Sequence, residues 1–369
     1  MKPVSKNALI MLLVSVLFGI ATSGCAVKVT TMQLTDNSTD DWLPQISGDY
    51  VVWHGYDDAD RVEEVYLYKI SNDTTTQISK NTARDINPQV YGDYMVWLGD
   101  EDGDLDVYLY QISNGITTNI SNNLVIDASL QIYRDYVLWA NNADGDDEIY
   151  LHHISTSTTT QVSNNSTFDT QPQIYGDYVV WSGYDSKDTE IYLYQISSGT
   201  TTQVSDNSVS DDFPQINEDY LVWRGSADGD REIYLYQISS GTTTQISNNA
   251  AGDYHPQINS DYVIWRTALD GHFNIYLYQI SSGTTVQVSN NAVNDSPAQI
   301  SGDYVVWQGY DANGYVEIYL YQISSSTTTQ VSNNRVFTRG PQINGDYIVW
   351  YGWDSNVYGD LEIYLANID

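Results

Sequence analysis

The chain has 369 residues, with 48 acidic against 14 basic side chains and a formal net charge of −34. A field of that sign repels nucleic acid and anionic membrane surfaces and favours cations and basic partners, so no nucleic-acid partner is expected. The 32 Tyr and 10 Trp supply material for a packed core, which argues against reading the acidity as disorder; adaptation to a salty medium would explain it equally well.

In chain order, Lys2 and Lys6 come first, then an unbroken apolar or small run from Ala8 to Ala21, then Thr22-Ser23-Gly24-Cys25. The run is short for a membrane span and no second one follows, so residues 1–24 read as an export signal. Cys25 is the only cysteine, so no intrachain disulfide can form. Its position resembles the lipobox of bacterial and archaeal lipoproteins, which implies lipidation at Cys25, although Thr22 stands where that motif usually has Leu. Ordinary cleavage nearby is the alternative. Either way the expected location is extracytoplasmic: cell surface, periplasm, or a membrane contacted only through an N-terminal lipid.

A Trp closes an apolar run at Trp53, Trp97, Trp139, Trp181, Trp223, Trp265, Trp307 and Trp350, with spacings of 44, 42, 42, 42, 42, 42 and 43 residues. A Val-Tyr or Ile-Tyr pair follows each, ten to thirteen residues later. In the fifth unit the strands expected are Phe213-Pro214-Gln215-Ile216, Tyr220 to Trp223, Glu232 to Ile238 and Thr242 to Ile246, separated by Asn, Asp, Gly and Ser turns. A period near 42 residues built from short strands predicts an all-β fold, an eight-bladed β-propeller of four-stranded antiparallel blades over residues 25–369. Pro44, Pro88, Pro172, Pro214, Pro256 and Pro341 are expected at the start of first strands, where no ladder donor is needed. Val29 to Leu34 looks like a fourth strand without a blade, and the last repeat stops at Asp369 without one. The N-terminal strand should therefore complete the last blade and close the ring.

These repeats resemble the TolB-like, WD40-like propellers, whose blades carry a Pro near the first strand, an Asp-Gly turn and an Asp-Ile-Tyr strand. Here the turn is reduced to Gly-Asp, as in Gly48-Asp49 and Gly92-Asp93. The pattern is also similar to exported surface propellers and lipoproteins of methanogenic archaea and bacteria. The resemblance implies the fold; propellers host enzymes, receptors and scaffolds alike.

Acidic residues recur in register. Asp49, Asp93, Asp135, Asp177, Asp219, Asp261, Asp303 and Asp346 precede the second strand and read as turn residues bonded to nearby amides. Asp41, Asp85, Asp127, Asp169, Asp211, Asp253 and Asp295, with Thr338 as the eighth member, should surround the channel mouth, either capping backbone or presenting a ring of ligand-binding carboxylates. In the loops between second and third strands, Asp100, Asp102, Asp104 and Asp106 form the best candidate calcium site, because hard divalent cations take several oxygen ligands. A solvated polar loop is the competing reading. Glu64, Asp106, Glu148, Glu190, Glu232, Glu317 and Glu362, with Asn274, stand before Ile/Val-Tyr and suggest a shared hydrogen bond to backbone or a neighbouring Tyr.

The five histidines, His54, His152, His153, His255 and His272, do not recur at one blade position, and no Gly-x-Ser-x-Gly elbow occurs. The expected function is a non-enzymatic extracytoplasmic binding or scaffold protein whose acidic top face takes an envelope protein or a glycan, with calcium as the cofactor the Asp loops would accept. Tyr56, Tyr184, Tyr310, Trp353 and Tyr358 are placed to contact a glycan. A purely structural envelope or surface-layer component and a polysaccharide lyase-like enzyme remain as alternatives.

Overall fold

Val, Ile, Tyr and Trp dominate the short runs between the turns, and their β-branched and aromatic side chains fit a pleated surface packed on both faces. In the computed structural model, which describes residues 27–369 except 58, 60, 102, 143–144, 228, 270, 291–293, 334–336 and 355–358, these runs form eight four-stranded antiparallel sheets. Blade 4 is representative: Asp169–Tyr175, Tyr178–Tyr184, Thr189–Gln195 and Thr200–Gln203, hydrogen-bonded in that order. Val179 and Val180 on the second strand are fully buried, whereas the Thr-Thr-Thr-Gln of the fourth is exposed throughout.

The recurring Trp and Tyr are cross-strand partners. Trp181 pairs with Tyr192, and the two rings stack with centroids 5.7 Å apart and planes 16° from parallel. The same stack forms in every blade, from Trp53–Tyr66 to Trp350–Tyr364. Apolar residues collect between blades: Leu221 and Trp223 of blade 5 meet Val180, Ile191 and Leu193 of blade 4.

Such a cluster also joins the last blade to the first, with Val349, Ile363 and Leu365 against Val51, Trp53 and Tyr68. The innermost strands touch their neighbours all the way round, including Thr338–Asn344 against Asp41–Ser47. Val29–Gln33 pairs antiparallel with Leu361–Ile368 and supplies the outer strand of blade 8. The fold is therefore a closed eight-bladed β-propeller sealed by its N-terminal strand.

The prolines lie elsewhere than expected. The innermost strand of blade 1 begins at Asp41, and Pro44 falls in its middle, at a register shift between Trp42 and Gln45. The residue before it, Leu43, is left-handed (φ 51°), as are Asn87, Ser129, Gln171, Phe213, His255 and Gly340 at the equivalent positions. The extra residue is a β-bulge, and the bulge frees Pro from the ladder. Blade 7 proves the rule. Pro297 occupies the left-handed position there, its ring cannot reach positive φ, and the innermost strand shrinks to Gln299–Ser301.

Candidate functional site

The recurrent carboxylates of the first strands lie inside the blades. Asp41, Asp85, Asp127, Asp169, Asp211, Asp253 and Asp295 are each at most 2% exposed. Asp169 shows why: its Oδ1 accepts the indole N–H of Trp181 at 2.9 Å and its Oδ2 accepts the Asn165 side-chain N–H at 2.6 Å. Asp41, Asp85 and Asp169 point to their own Trp, and all seven are buried inside the blades rather than lining the channel mouth as a ring.

Behind each Asn stands the acidic residue of the preceding blade. The Asn165 amide donates to Glu148 Oε1 at 2.7 Å, and the Ser163 hydroxyl donates to Glu148 Oε2 at 2.5 Å. Glu148 thus accepts from the main-chain N–H of Asn165, a backbone bond of the kind the sequence suggests, and from a Ser hydroxyl. A Glu–Ser/Thr–Asn–Asp relay links neighbouring blades in the same way at Glu64–Asp85, Glu190–Asp211, Glu232–Asp253 and, across the closure, Glu362–Asp41. Burial is the leading cause that lifts the pKa of Asp41 and Asp211 to about 6 and of Glu232 and Glu362 to about 7. The turn aspartates are tied across the sheet: the Ser197 amide and hydroxyl donate to Asp177 at 2.9 and 2.5 Å, joining two turns twenty residues apart.

Of the expected calcium ligands, Asp106 is buried in this relay, where it accepts from Asn119, Ser121 and Asn123. It therefore points into the blade junction, away from the loop. Asp100 and Asp104 stay in the loop, half-buried, and Asp102 lies outside the described residues, as do Tyr358 and Cys25. Among the described residues the carboxylates that approach most like a cation site are Asp185, Glu190 and Asp206, with oxygens within 4.8 Å of one another. No histidine belongs to that group.

Tyr184 and Tyr310 are 41% exposed and Trp353 39%, all at the ends of second strands. Tyr56 is half-buried, edge-on to Trp42 at 5.1 Å.

Three equivalent clefts open on consecutive blades. That of blade 4, about 580 Å³, has the Trp181–Tyr192 stack at its base, Tyr184 and Asp185 on one wall and the linker Ser163–Thr167 on the other. Those of blades 5 and 6, about 500 and 270 Å³, share the Trp–Tyr stack (Trp223–Tyr234 and Trp265–Tyr276) and the linker wall, with Ser226 and Leu269 on the side where blade 4 has Tyr184 and Asp185. Asp206, in the blade 5 cleft, stands beside Asp185 of the blade 4 cleft. No signal in the sequence marked these clefts, because their walls come from the linker of one blade and the strands of the next.

No protein-family model matches the sequence, and no curated protein sequence matches it. Solved structures do. Oligogalacturonate lyase in complex with manganese aligns over 93% of this chain and 98% of its own, at 12% identity and a TM-score of 0.56. The β-propeller domain of the Trilobed protease from Pyrococcus furiosus, described as having an open velcro topology, aligns over 80% of this chain and 99% of its own, at 12% identity and TM-score 0.59. A puromycin-hydrolyzing peptidase of Mycobacterium tuberculosis aligns over 86% of this chain at 10% identity and TM-score 0.59, and this chain spans only 59% of that peptidase's length. At such identities the likeness is one of fold: this chain is a β-propeller protein, similar in architecture to a lyase and to the propeller parts of peptidases.

Proposed function

We propose that the protein is a non-enzymatic extracytoplasmic binding propeller whose top face takes a glycan, held at several blades at once. The repetition of one cleft on blades 4, 5 and 6 carries the reading. A ligand made of repeating units can occupy successive clefts, and linked weak sites give avidity without a deep pocket. The chemistry suits sugars: aromatic side chains for the apolar face of a ring, with Asn, Ser, Thr and Gln for hydroxyl groups. The lysine start, the apolar run and Cys25 support export and a lipid anchor. Among the described residues no helix is long and apolar enough to cross a membrane.

Calcium is proposed as a supporting ion at Asp185 and Asp206, between the first two clefts and over the buried Glu190. The test is titration of the full chain with neutral oligosaccharides of increasing length, read by tryptophan fluorescence. Affinity that climbs steeply with length, and drops on Tyr184→Ala, is expected. Length-independent or undetectable binding across a broad glycan panel would sink the reading.

A further inference from the structure

In a chain of net charge −34, Arg266 has no carboxylate partner among the described residues. Its counterpart one blade earlier shows what is missing. Arg224 faces Asp212 across the same pair of strands and is held bidentately, Nε to Oδ1 at 2.7 Å and Nη2 to Oδ2 at 2.5 Å. In blade 6 the residue opposite Arg266 is Tyr254, which offers no charge. Nor is the Arg266 guanidinium merely trailing in solvent. It is half-buried, lies 4.2 Å from the Phe273 ring centroid, and its buried Nε has no hydrogen-bond partner among the described residues.

The surroundings are aromatic and cationic. Tyr254 meets Phe273 edge-on at 5.7 Å, and Arg224 stacks over both Phe213 and Tyr254. His255, a bulge residue at φ 53°, packs on Phe213 at 5.2 Å, and burial together with Arg266 and Arg224 keeps its pKa down near 4, so it stays neutral. Arg231 shares Asp212 with Arg224 at 3.6 Å, so the one carboxylate of the cluster among the described residues is already committed to two guanidinium groups. Strand alternation sets this site apart from the clefts. Trp265 packs toward blade 5, while Ile264 and therefore Arg266 face blade 7, whose innermost strand is the shortened one.

We propose that Arg266, backed by Phe273 and Tyr254 at the junction of blades 6 and 7, is the binding site for a carboxylate of an acidic ligand. A guanidinium presents parallel N–H donors that match two carboxylate oxygens, and weak hydration makes it suited to a half-buried site. The aromatic ring behind it fixes the plane of the fork while leaving its edge for the ligand. The half-buried cation makes the site selective for anions within a protein whose outer field repels them. Occupancy therefore depends on a short-range pair at Arg266.

Calorimetric titration of the full chain with glucuronate, acetate, inorganic phosphate and neutral glucose, in low-chloride buffer, tests this. Glucuronate and acetate should saturate one site per chain, with affinity at least about tenfold lower in Arg266→Gln, as expected for losing a charged hydrogen-bond partner. Arg266→Lys, which keeps the charge but not the fork, should fall between, and Arg339→Gln, which removes the Arg stacked on Phe337 in blade 8, should bind like the parent. Equal glucuronate binding by parent and Arg266→Gln, at matched melting temperatures, would overturn the proposal. So would phosphate binding more tightly than every carboxylate. Neutral-sugar binding by Arg266→Gln stays as in the parent, so failure here and failure of the cleft reading give different results.

Discussion

In blades 1, 2 and 4 the buried Asp of the first strand accepts an indole N–H from the next strand and an Asn N–H from the preceding linker. Where blade 8 has Thr338 instead of Asp, the Thr hydroxyl turns to the Val316 carbonyl at 2.8 Å and the Trp350 indole N–H has no partner among the described residues. Asp169→Ala should therefore cost about 2 kcal/mol, the penalty for leaving buried donors unsatisfied, and Thr338→Ala less than about 1. Denaturant unfolding of the two variants checks the contrast; equal losses would remove the Asp from the account. Space around the Asp is equally constrained. A Cβ on Gly183 would lie 2.3 Å from Asp169 Oδ1 and 2.9 Å from the Tyr192 ring, so Gly183→Ala should destabilise by about 1–3 kcal/mol through overpacking. Blade 6 avoids that conflict differently: Thr267 replaces the Gly, and its hydroxyl relays between Trp265 and Asp253 at 3.1 and 2.6 Å.

The closing strand does at the scale of an element what the relay does for single residues. Val29–Gln33 covers the edge of Leu361–Ile368, and just beyond it the Ile363 amide donates to Thr35 Oγ1 at 2.9 Å. Glu362 receives Asn37 in the same stretch, so ladder and relay seal the ring together. Removing residues 27–34 would expose an unpaired strand edge, a template for pairing with another chain. The expected outcome is a lower melting temperature and concentration-dependent association in size-exclusion chromatography. A truncated protein that stayed monomeric and melted like the parent would mean the strand is dispensable.

Across the molecule, buried carboxylates set the pH dependence. Desolvation raises Asp41, Asp127 and Asp211 to about 6 and Glu232 and Glu362 to about 7, and also raises Asp85, Asp169 and Asp253. The folded state thus holds these protons more tightly than the unfolded one. Their stabilising contribution is present below about pH 4 and is lost as pH rises through 6 to 7. Buried His54 and His255, lowered to about 4, act in the opposite sense and lose stability as pH falls below their ordinary 6.5. The carboxylates outnumber them, so the melting temperature at pH 6 should exceed that at pH 8, by about 5 °C or more. A flat or reversed profile would mean the relay is solvated. Calcium at fixed ionic strength should raise the melting temperature more than magnesium, with the difference lost in Asp185→Asn.

The eight-fold architecture, the order of strands within a blade and the N-terminal closure were legible in the sequence, because each rests on local alternation and on a period that repeats. So was the existence of the recurrent acids. Their partners were not: Asp169 meets Trp181 twelve residues on and Asn165 four residues back, while Glu148 belongs to the blade before. One-dimensional spacing shows that residues recur, but burial is decided only when neighbouring blades close over them. The same packing drew Asp106 from a candidate ion loop into a blade junction, built clefts from two blades at a time, and left Arg266 facing an aromatic ring where Arg224 has an acid. The sequence by itself determined the ring; contact between its blades decided which charges are buried in the relays and which stand apart from them.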